Sequence, residues 1–225
     1  ALERSATDAG RRRVVLETGT AQPEAIALYE AADYTPMPER YGRYAHTEFA
    51  RYYRKALPPL RLAVAEDLPI LQDIEVAAGG PFADLGMTVV ADDDPPSIDE
   101  LRHYCDDARA WVHVDSSGRP DGYLLVDIVD GHTHIEQVSV HPDHARAGIG
   151  RSLIDHVALW ARDRGYNALT LTTFVDVPWN GPYYERLGFR FLDDTHLTAG
   201  LREIRAAEAQ HGLDRWPRAA MRRDL

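Results

Sequence analysis

Cysteine is nearly absent from this sequence, since Cys105 is the only one among 225 residues. A single thiol cannot close an intrachain disulfide, and it lacks the spaced partners of a zinc site or a redox motif. The sequence therefore excludes a disulfide framework and a cysteine-based metal centre. Cys105 is interpreted as a small, half-buried residue, the usual situation of a free cysteine.

Long hydrophobic runs are also missing. No apolar segment approaches the roughly 18 to 20 residues of a membrane-spanning helix. The N-terminal segment "ALERSATDAGRRR" has basic residues but no apolar stretch after them, which is not the pattern of a signal peptide. The sequence predicts a cytoplasmic protein with no membrane partner.

The chain has no excess of positive charge, because its formal net charge is −11. Residues 1–58 are nearly balanced, and residues 59–225 carry the acidic excess. This charge repels nucleic acid and favours cationic ligands such as amines. Because 44% of the residues are hydrophobic and 27% are charged, we expect a globular protein with a sizeable core.

One pattern occurs twice in the chain. Aligning "PEAIALYEAADY" (23–34) with "GPYYERLGF" (181–189) on Tyr29 and Tyr184 defines a shift of 155 residues. Without a gap, the same shift pairs Gly10 with Gly165. The tails "RYYRKAL" and "RAAMRRDL" agree at a larger shift, so the later copy holds extra residues, predicted as a helix over 199–212. Such self-similarity indicates two copies of one structural unit.

The two copies differ in extent. Nothing in the early copy corresponds to residues 60–155 of the later one, so the chain is expected to open in the middle of a domain. We therefore predict a non-catalytic partial repeat at residues 1–58 and a complete domain at residues 59–225. The apolar faces of the partial repeat need a cover, which predicts a homodimer or docking with a missing N-terminal half-domain.

The complete copy predicts an α/β fold with a mixed, mostly antiparallel central sheet flanked by helices. Ser97 and Glu100 form a capping box for one of the helices, and Asp67 is a plausible cap for another. The predicted strands are 60–65, 110–114, 122–130, 132–140, 168–174, 189–192 and 216–223. The predicted helices are 67–79, 97–108, 148–164 and 181–187, with a loop over 79–97.

The chemistry is expected at "VSVHPDHARAGIGRSLIDH" (138–156), where a strand passes through a turn into a helix. Gly148 and Gly150 lie at the helix entrance, where backbone N–H groups lack partners and the helix dipole is positive. Arg146 and Arg151 add local positive charge. This arrangement is typical of a phosphate cradle, although an ordinary strand-to-helix turn has the same glycines.

Residues 138–152, followed by "PWNGPYYERLGF" (178–189), resemble the GCN5-related N-acetyltransferase (GNAT) family. Members of this family move an acetyl group from acetyl-CoA to an amine. The order of elements from residue 60 to residue 225 agrees with the family, so the resemblance implies a GNAT fold preceded by a partial GNAT repeat. It also implies acetyl-CoA as co-substrate and no metal.

The resemblance assigns the coenzyme contacts by position. A splayed strand meets the pantetheine arm through its backbone, and the following loop holds the pyrophosphate. Ala145 stands where the family usually has Gln or Arg, so backbone donors are expected to do this work. The implied cofactor-binding residues are Val138, Ser139, Val140, Ala145, Arg146, Ala147, Gly148, Ile149, Gly150, Arg151, Ser152 and Asn180.

The resemblance further implies that Tyr184 stands near the leaving sulfur as general acid. A phenol is suitable because the departing thiolate needs only a proton or a hydrogen bond. The alternatives are that Tyr184 is a core aromatic, with Tyr183 as the competing hydroxyl, and that Asn180 is only a helix cap.

A base must also take a proton from the substrate ammonium. Strand alternation predicts that Glu136 shares a face with Val138 and Val140, beside the thioester. Glu136 is the leading catalytic base, acting directly or through water, and the Val138 N–H is expected to stabilise the oxyanion. His134 and Asp127 are the second and third candidates, and an exposed strand carboxylate is the alternative reading of Glu136.

Acceptor binding is assigned to Phe82, His134 and Trp179. Acidic residues at Asp84 and 92–94 could attract an amine, although acidic runs are usually just solvated. Four histidines near this strand do not suggest a metal site, because the two pairs lie roughly 20 Å apart by strand rise. The predicted function is N-acetylation of a small-molecule amine. The alternatives are a protein or peptide N-acetyltransferase and a non-catalytic coenzyme-binding scaffold.

Overall fold

The computed structural model describes residues 2–225 and divides into two compact units, Ala1–Arg61 and Leu62–Leu225. The first unit contains helices α1 (Leu2–Asp8) and α2 (Pro23–Ala31) and strands β1 (Arg13–Gly19), β2 (Thr35–Pro36) and β3 (Ala50–Ala56). Its three strands form an antiparallel sheet in the order β1-β3-β2.

The second unit is built on a seven-stranded sheet that begins with β4 (Leu60–Leu62) and has the order β4-β5-β6-β7-β8-β10-β9. The further strands are β5 (Ala110–Val114), β6 (Pro120–Val129), β7 (His132–Val140), β8 (Ala168–Phe174), β9 (Arg190–Phe191) and β10 (Arg218–Asp224). The helices are α3 (Leu68–Ala83), α4 (Thr88–Ala91), α5 (Ile98–Asp106), α6 (Ile149–Asp163), α7 (Gly181–Arg186) and α8 (Ala199–Gln210).

The sheet is mixed, because β7 and β8 run parallel while the pairs β5–β6, β6–β7, β8–β10 and β9–β10 run antiparallel. The predicted α/β class and the mixed, mostly antiparallel sheet are therefore confirmed. Helix α5 begins at the predicted capping box, in which the Ser97 hydroxyl accepts from the Glu100 N–H and the Glu100 carboxylate accepts from the Ser97 N–H.

The two faces of the sheet carry different helices. Leu125 of β6 packs in a core cluster with Leu71 and Ile74 of α3, and we call this side the α3 face. Trp111 of β5, the cross-strand partner of Leu124, stacks edge-to-face on Trp160 of α6 at 5.2 Å, and we call this side the α6 face. Side-chain alternation makes these opposite faces of the same sheet.

Three predictions around α3 are wrong. The strand from residue 60 stops at Leu62, and the loop predicted from residue 79 is helical to Ala83 and again over Thr88–Ala91. The Asp67 side chain makes no cap bond to α3, because its carboxylate accepts the Val64 N–H at 2.9 Å and closes the preceding turn. Gly and Pro in this segment predicted a break, but Phe82 packs on Phe174 and keeps the last helical turn in place.

The first unit repeats the connectivity of the end of the second unit. Adding 155 to the residue numbers of β1 and β2 gives those of β8 and β9, and adding 168 to those of β3 gives those of β10. The same additions convert the strand pairs of the first sheet into those of the second, for example Thr35↔Arg54 into Arg190↔Arg222. The sheet orders β1-β3-β2 and β8-β10-β9 correspond. Two segments of one chain therefore share an element order and a strand register.

Candidate active site

Strands β7 and β8 separate along their length. Their only recorded pairs in residues 2–225 are Thr133↔Leu169 and His134↔Thr170, although β7 continues to Val140 and β8 to Phe174. We call the unpaired interval between residues 135–140 and 171–174 the seam. The sheet is open there, so main-chain groups of β7 are available to a ligand.

The ladder between β6 and β7 tells which groups face the seam. The His141 N–H donates to the Asp121 carbonyl at 2.9 Å, and hydrogen-bonded and non-hydrogen-bonded pairs alternate along an antiparallel ladder. Val140 and Val138 therefore occupy non-hydrogen-bonded positions opposite Gly122 and Leu124. Their N–H and C=O groups point away from β6, toward β8, as the resemblance implies for a strand that meets a pantetheine arm.

The turn after β7 leads into the N-terminus of α6. Gly148 has φ +81°, a left-handed conformation that favours glycine, and Arg146 also has a positive φ of 64°. The first helical hydrogen bond runs from the Ser152 N–H to the Gly148 carbonyl, so helix geometry leaves the preceding amides without helical acceptors. Residues 142–148 are exposed, while the Ile149 side chain is buried in the core. Ile149 can therefore contribute only its backbone to a ligand.

This N-terminus lies on the α6 face of the sheet. A Cβ atom added at Gly122 would come within 2.8 Å of Ile149 and 3.3 Å of the Val140 side chain, so the three residues meet there. Arg151 is exposed on the first turn and forms a 3.6 Å ion pair with Asp155. The α6 N-terminus, the predicted phosphate cradle, is thus on the α6 face and adjacent to the end of the seam.

A β-bulge interrupts β7 at Glu136. Leu125 pairs with Gln137 and the next residue, Val126, pairs with Ile135, so Glu136 has no partner across the ladder. The predicted shared face of Glu136, Val138 and Val140 is wrong, because the bulge breaks the alternation. The Glu136 carboxylate lies 3.9 Å from His134 Nε2, on the α3 face with Asp127.

The surroundings of Glu136 favour its neutral form. Burial raises the pKa of this carboxyl, the nearby Asp127 and Glu208 carboxylates raise it further, and Arg218 opposes them. At the same time 46% of the side chain is exposed. A carboxylate that is open to a ligand and has a raised pKa has the properties of a general base.

His134 is less accessible than predicted. Its ring is 1% exposed and Nδ1 lies 2.9 Å from the Thr170 hydroxyl, within hydrogen-bond distance. Burial lowers the pKa of His134 to about 4, so the ring is neutral near pH 7. A ring enclosed in this way presents almost no surface to a ligand, and the assignment of His134 to acceptor binding stays a prediction.

Asp127 is the third carboxylate that the sequence proposed. Its two oxygens accept hydrogen bonds from the Tyr104 hydroxyl at 2.8 Å and from the Arg109 guanidinium at 2.5 Å. Both donors are on or next to α5, and the ion pair occupies the carboxylate. Asp127 is thus engaged in structure, which favours Glu136 over Asp127 as a base.

The two adjacent tyrosines of α7 have different neighbours. The Tyr183 hydroxyl lies 3.1 Å from the place of a Cβ atom at Gly150, so Tyr183 touches the α6 N-terminus. Tyr184 packs edge-to-face on Phe189 at 5.8 Å, and no hydrogen-bond partner of its hydroxyl is recorded in residues 2–225. Burial raises the pKa of Tyr184, Tyr183 adds to the shift and Arg218 opposes it, so the phenol keeps its proton at neutral pH.

The start of α7 depends on a close approach to β8. A Cβ atom at Gly181 would lie 2.5 Å from the Val175 carbonyl oxygen and 3.1 Å from that of Phe174. Asn180 occupies the N-cap position but makes no side-chain cap bond, which removes the capping alternative for this residue. Its amide is therefore not engaged as a cap for α7.

The proposed acceptor residues Phe82 and Trp179 lie together. Their rings meet edge-to-face at 5.4 Å, Phe82 also packs on Phe174 at 5.7 Å, and Trp179 is 41% exposed. Asp84 and residues 92–94 are exposed and solvated. The aromatic pair thus joins the end of α3 to the segment before α7 and lies beyond the end of β8.

Glu75 is a residue that the sequence interpretation missed. Its carboxylate accepts hydrogen bonds from Tyr123, Gln137 and Ser139, which places it on the α3 face beside β7. Glu75 precedes Phe82 by two helical turns, so the two residues share a face of α3. Because Phe82 was assigned to the acceptor site, this spacing could have pointed to Glu75 as a neighbour of the site.

Residues 2–225 also bear on two other classes of site, metal centres and membrane spans. No group of three or more His, Cys, Asp or Glu side chains in this part of the chain has an arrangement that could hold a metal ion. None of the helices in the same range has the length and apolar character needed to cross a bilayer. Cys105 is free and half-buried, and its thiol donates to the Ala63 carbonyl.

Comparison with known proteins agrees with this geometry. The model of the acetyltransferase (GNAT) family matches residues 81–189. Streptothricin acetyltransferase of Streptomyces lavendulae is 36% identical over 110 residues, which are 48% of this chain and 56% of that protein. The chain thus spans little more than half the length of this relative.

Two solved structures share the fold. The GNAT-family acetyltransferase of Staphylococcus aureus Mu50 superposes with a TM-score of 0.57 at 12% identity, covering 74% of this chain and 98% of that one. The PaiA N-acetyltransferase of Thermoplasma acidophilum, solved in complex with coenzyme A, gives a TM-score of 0.54 at 11% identity with the same coverage. The second unit therefore has the GNAT fold, and the residues that the acetyltransferase family model matches, 81–189, lie within that unit.

Proposed function

We propose that this chain is an N-acetyltransferase that transfers an acetyl group from acetyl-CoA to a primary amine of a small molecule by direct attack in a ternary complex. The observation that carries this proposal is the seam between β7 and β8. It lies between a helix N-terminus on the α6 face and an accessible carboxylate, Glu136, on the α3 face. Two substrates can therefore meet at one opening from opposite sides.

The donor lies along the seam in this proposal. The main-chain groups of residues 138–140 hydrogen-bond the pantetheine arm, and the free amides of residues 146–151 hold the pyrophosphate with help from the Arg146 and Arg151 side chains. Asn180, with no cap bond to make, is available to the coenzyme. The acceptor enters from the α3 face, between Glu136 and the Phe82–Trp179 pair.

The reaction then needs a base for the substrate ammonium and an acid for the leaving thiolate. Glu136 takes a proton from the ammonium directly or through water, and the amine nitrogen attacks the thioester carbonyl carbon. The developing oxyanion accepts a hydrogen bond from the Val138 N–H. As the C–S bond breaks, its electron pair stays on sulfur, and Tyr184 donates a proton to give the coenzyme A thiol. The second proton of the attacking nitrogen passes through water to the Tyr184 phenolate, which leaves the neutral N-acetyl product and restores the acid.

The small-molecule acceptor is favoured by the relative and by charge. The similar protein from Streptomyces lavendulae is a streptothricin acetyltransferase, and Glu136 is an exposed carboxylate suited to a cation. Protein N-termini and lysines are the alternative acceptors. A non-catalytic coenzyme-binding protein is the alternative from another class.

We also propose that residues 1–58 are a partial GNAT-like repeat that does not bind coenzyme alone. The shared strand register supports this, and so do the ring pairs Tyr29–Tyr34 and Tyr184–Phe189, both edge-to-face at 5.8 Å. Asp33, the counterpart of Gly188, has the same left-handed conformation. Residues 1–58 themselves contain no counterpart of the Gly148–Gly150 turn.

A thiol-release screen tests the function. Acetyl-CoA is offered with streptothricin, simple amines, polyamines, amino acids and peptides, and we expect turnover with a small cationic amine. Tyr184→Phe should lower kcat at least about tenfold because the leaving thiolate loses its acid. Tyr183→Phe should instead raise KM for acetyl-CoA, because its hydroxyl touches Gly150.

Two outcomes contradict the proposal. If coenzyme binds tightly but no acceptor is turned over, the non-catalytic alternative is favoured. If Tyr184→Phe keeps the wild-type kcat, the assignment of the acid is wrong.

A further inference from the structure

Glu75 connects α3 to the free edge of β7. Its Oε2 accepts from the Tyr123 hydroxyl at 2.5 Å and from the Ser139 hydroxyl at 2.7 Å, and its Oε1 accepts from Gln137 Nε2 at 2.8 Å. Gln137 Nε2 also lies 2.8 Å from the Ser139 hydroxyl oxygen. One carboxylate thus holds two β7 side chains that are two residues apart.

Val138 lies between the two held residues. The phase of the β6–β7 ladder directs its N–H into the seam, while the side chains of Gln137 and Ser139 point to the α3 face. Toward β8, the seam leaves this part of β7 without a partner strand. Toward β6, the bulge at Glu136 interrupts the ladder just before Gln137. Residues 137–140 thus pair with β6 alone, so side-chain contacts from α3 add to what fixes the position of this segment.

The hydrogen bonds of Glu75 can fix the position of residues 137–139. Tyr123 is fully buried, and burial together with the adjacent Glu75 carboxylate raises the pKa of Tyr123 well above its ordinary value, so its hydroxyl remains a donor. Ser139 is also buried. Hydrogen bonds from neutral donors to a carboxylate are stronger than those between neutral groups, and in a buried site they rigidify their surroundings.

We propose that Glu75 is a positioning residue for the acyl carbonyl: by holding Gln137 and Ser139 it sets the place of the Val138 N–H in the seam. This inference rests on the proposed function, because it takes the Val138 N–H as the donor to the thioester oxygen. Glu75 itself does not contact the reacting atoms. Its loss misplaces the oxyanion donor and leaves the phosphate cradle on the α6 face unchanged.

The test compares coenzyme A with acetyl-CoA in binding and measures kcat in the same variants. Glu75→Gln replaces the charged acceptor by a neutral amide and reverses the hydrogen bonds to one side of the group, so all three contacts lose their charge assistance. We expect the affinity advantage of acetyl-CoA over coenzyme A to fall at least about threefold, within the range of one hydrogen bond. We also expect kcat to fall at least about tenfold as the oxyanion donor is displaced.

Matched controls separate this role from a general loss of structure. Asp73→Asn removes an exposed carboxylate from the same helix and should leave both readouts and the coenzyme A affinity unchanged. Ser139→Ala removes one held side chain without altering Glu75 and should give a partial loss of the acetyl-CoA advantage. A merely structural effect would weaken coenzyme A and acetyl-CoA equally.

The outcomes are distinct for the two proposals. If Glu75→Gln folds and keeps both the acetyl-CoA advantage and the wild-type kcat, the positioning role is wrong while the proposed function stands. If Glu75→Gln does not fold, an unchanged acetyl-CoA advantage in Ser139→Ala overturns the positioning role. If the wild-type chain shows neither thiol release nor a preference for acetyl-CoA, both proposals fail.

Discussion

Glu136 and His134 are neighbours on β7, and burial shifts their pKa values in opposite directions. Burial disfavours the charged form of each group, so it raises the pKa of the Glu136 carboxyl and lowers that of the His134 ring to about 4. The 3.9 Å contact between them is therefore not an ion pair near neutral pH, because His134 is uncharged there. The histidine leaves the glutamate free to accept a proton from a substrate.

The pH dependence of the reaction follows from this pair. Protonated Glu136 cannot act as a base, so kcat/KM should fall as the pH falls through the pKa of this carboxyl. Because that pKa is raised, the loss should occur at a higher pH than for an ordinary glutamate. His134 should add no inflection near pH 6 to 7. A pH profile of kcat/KM for the wild type and for Glu136→Gln checks both statements.

The Glu136→Gln variant provides the control for that profile. It should lose at least about tenfold in rate and should no longer show the acid limb. An unchanged acid limb in this variant would assign the limb, and the role of base, to another group.

At the scale of elements, the position of α7 depends on the absence of a side chain at Gly181. The helix begins where the chain passes over the end of β8, and the nearest atoms to an added Cβ atom belong to backbone carbonyls, which cannot swing aside as a flexible side chain can. Because α7 carries Tyr184, a substitution that pushes Gly181 away from β8 should also move the hydroxyl of the proposed acid.

Two glycine substitutions test this contact. Gly181→Ala should lower the free energy of unfolding by about 1 to 3 kcal/mol, the usual cost of overpacking, and should reduce kcat. Gly80→Ala, on α3, meets no atom within 4 Å and should instead raise stability by about 0.5 to 1 kcal/mol. Chemical denaturation of both variants measures the difference, and equal stabilities would contradict the tight-contact interpretation.

At the scale of the whole molecule, two units with related connectivity differ in the elements from which the proposed coenzyme site is built. The second unit has the seam, the glycine turn and helix α6 after that turn, whereas residues 2–58 contain a three-stranded sheet and no counterpart of β7. Tyr29 and Tyr184 each pack edge-to-face on an aromatic ring five residues later, and residues 2–58 contain no counterpart of the turn at Gly148. The two tyrosines therefore form a matched pair within one chain.

This pair predicts a contrast in activity. Tyr29→Phe should leave kcat and the KM for acetyl-CoA within about twofold of the wild type, whereas Tyr184→Phe should lower kcat at least about tenfold. Steady-state thiol release with the full chain measures both. Similar losses in the two variants would show that the early copy contributes to catalysis and that the division of roles is wrong.

Much of the second unit could be predicted from local pattern. The bounds of β5, β7 and β8, the Ser97–Glu100 capping box and the turn at Gly148 all follow from residues close together in sequence. The extent of α3 could not, because its last turn contains Gly and Pro residues and is stabilised by the packing of Phe82 on Phe174, ninety-two residues later. A long-range contact of this kind leaves no local signal.

The sequence by itself determined the fold class, the place of the glycine turn and the pair of tyrosines that follows it, because each depends on residue type and short spacing. Only the tertiary structure decided which face Glu136 occupies, that His134 is enclosed and that Glu75 holds β7. A bulge adds one residue to one strand and reverses the alternation, and whether a strand contains one depends on its partner strand. The side-chain pattern of β7 alone could not determine that pairing.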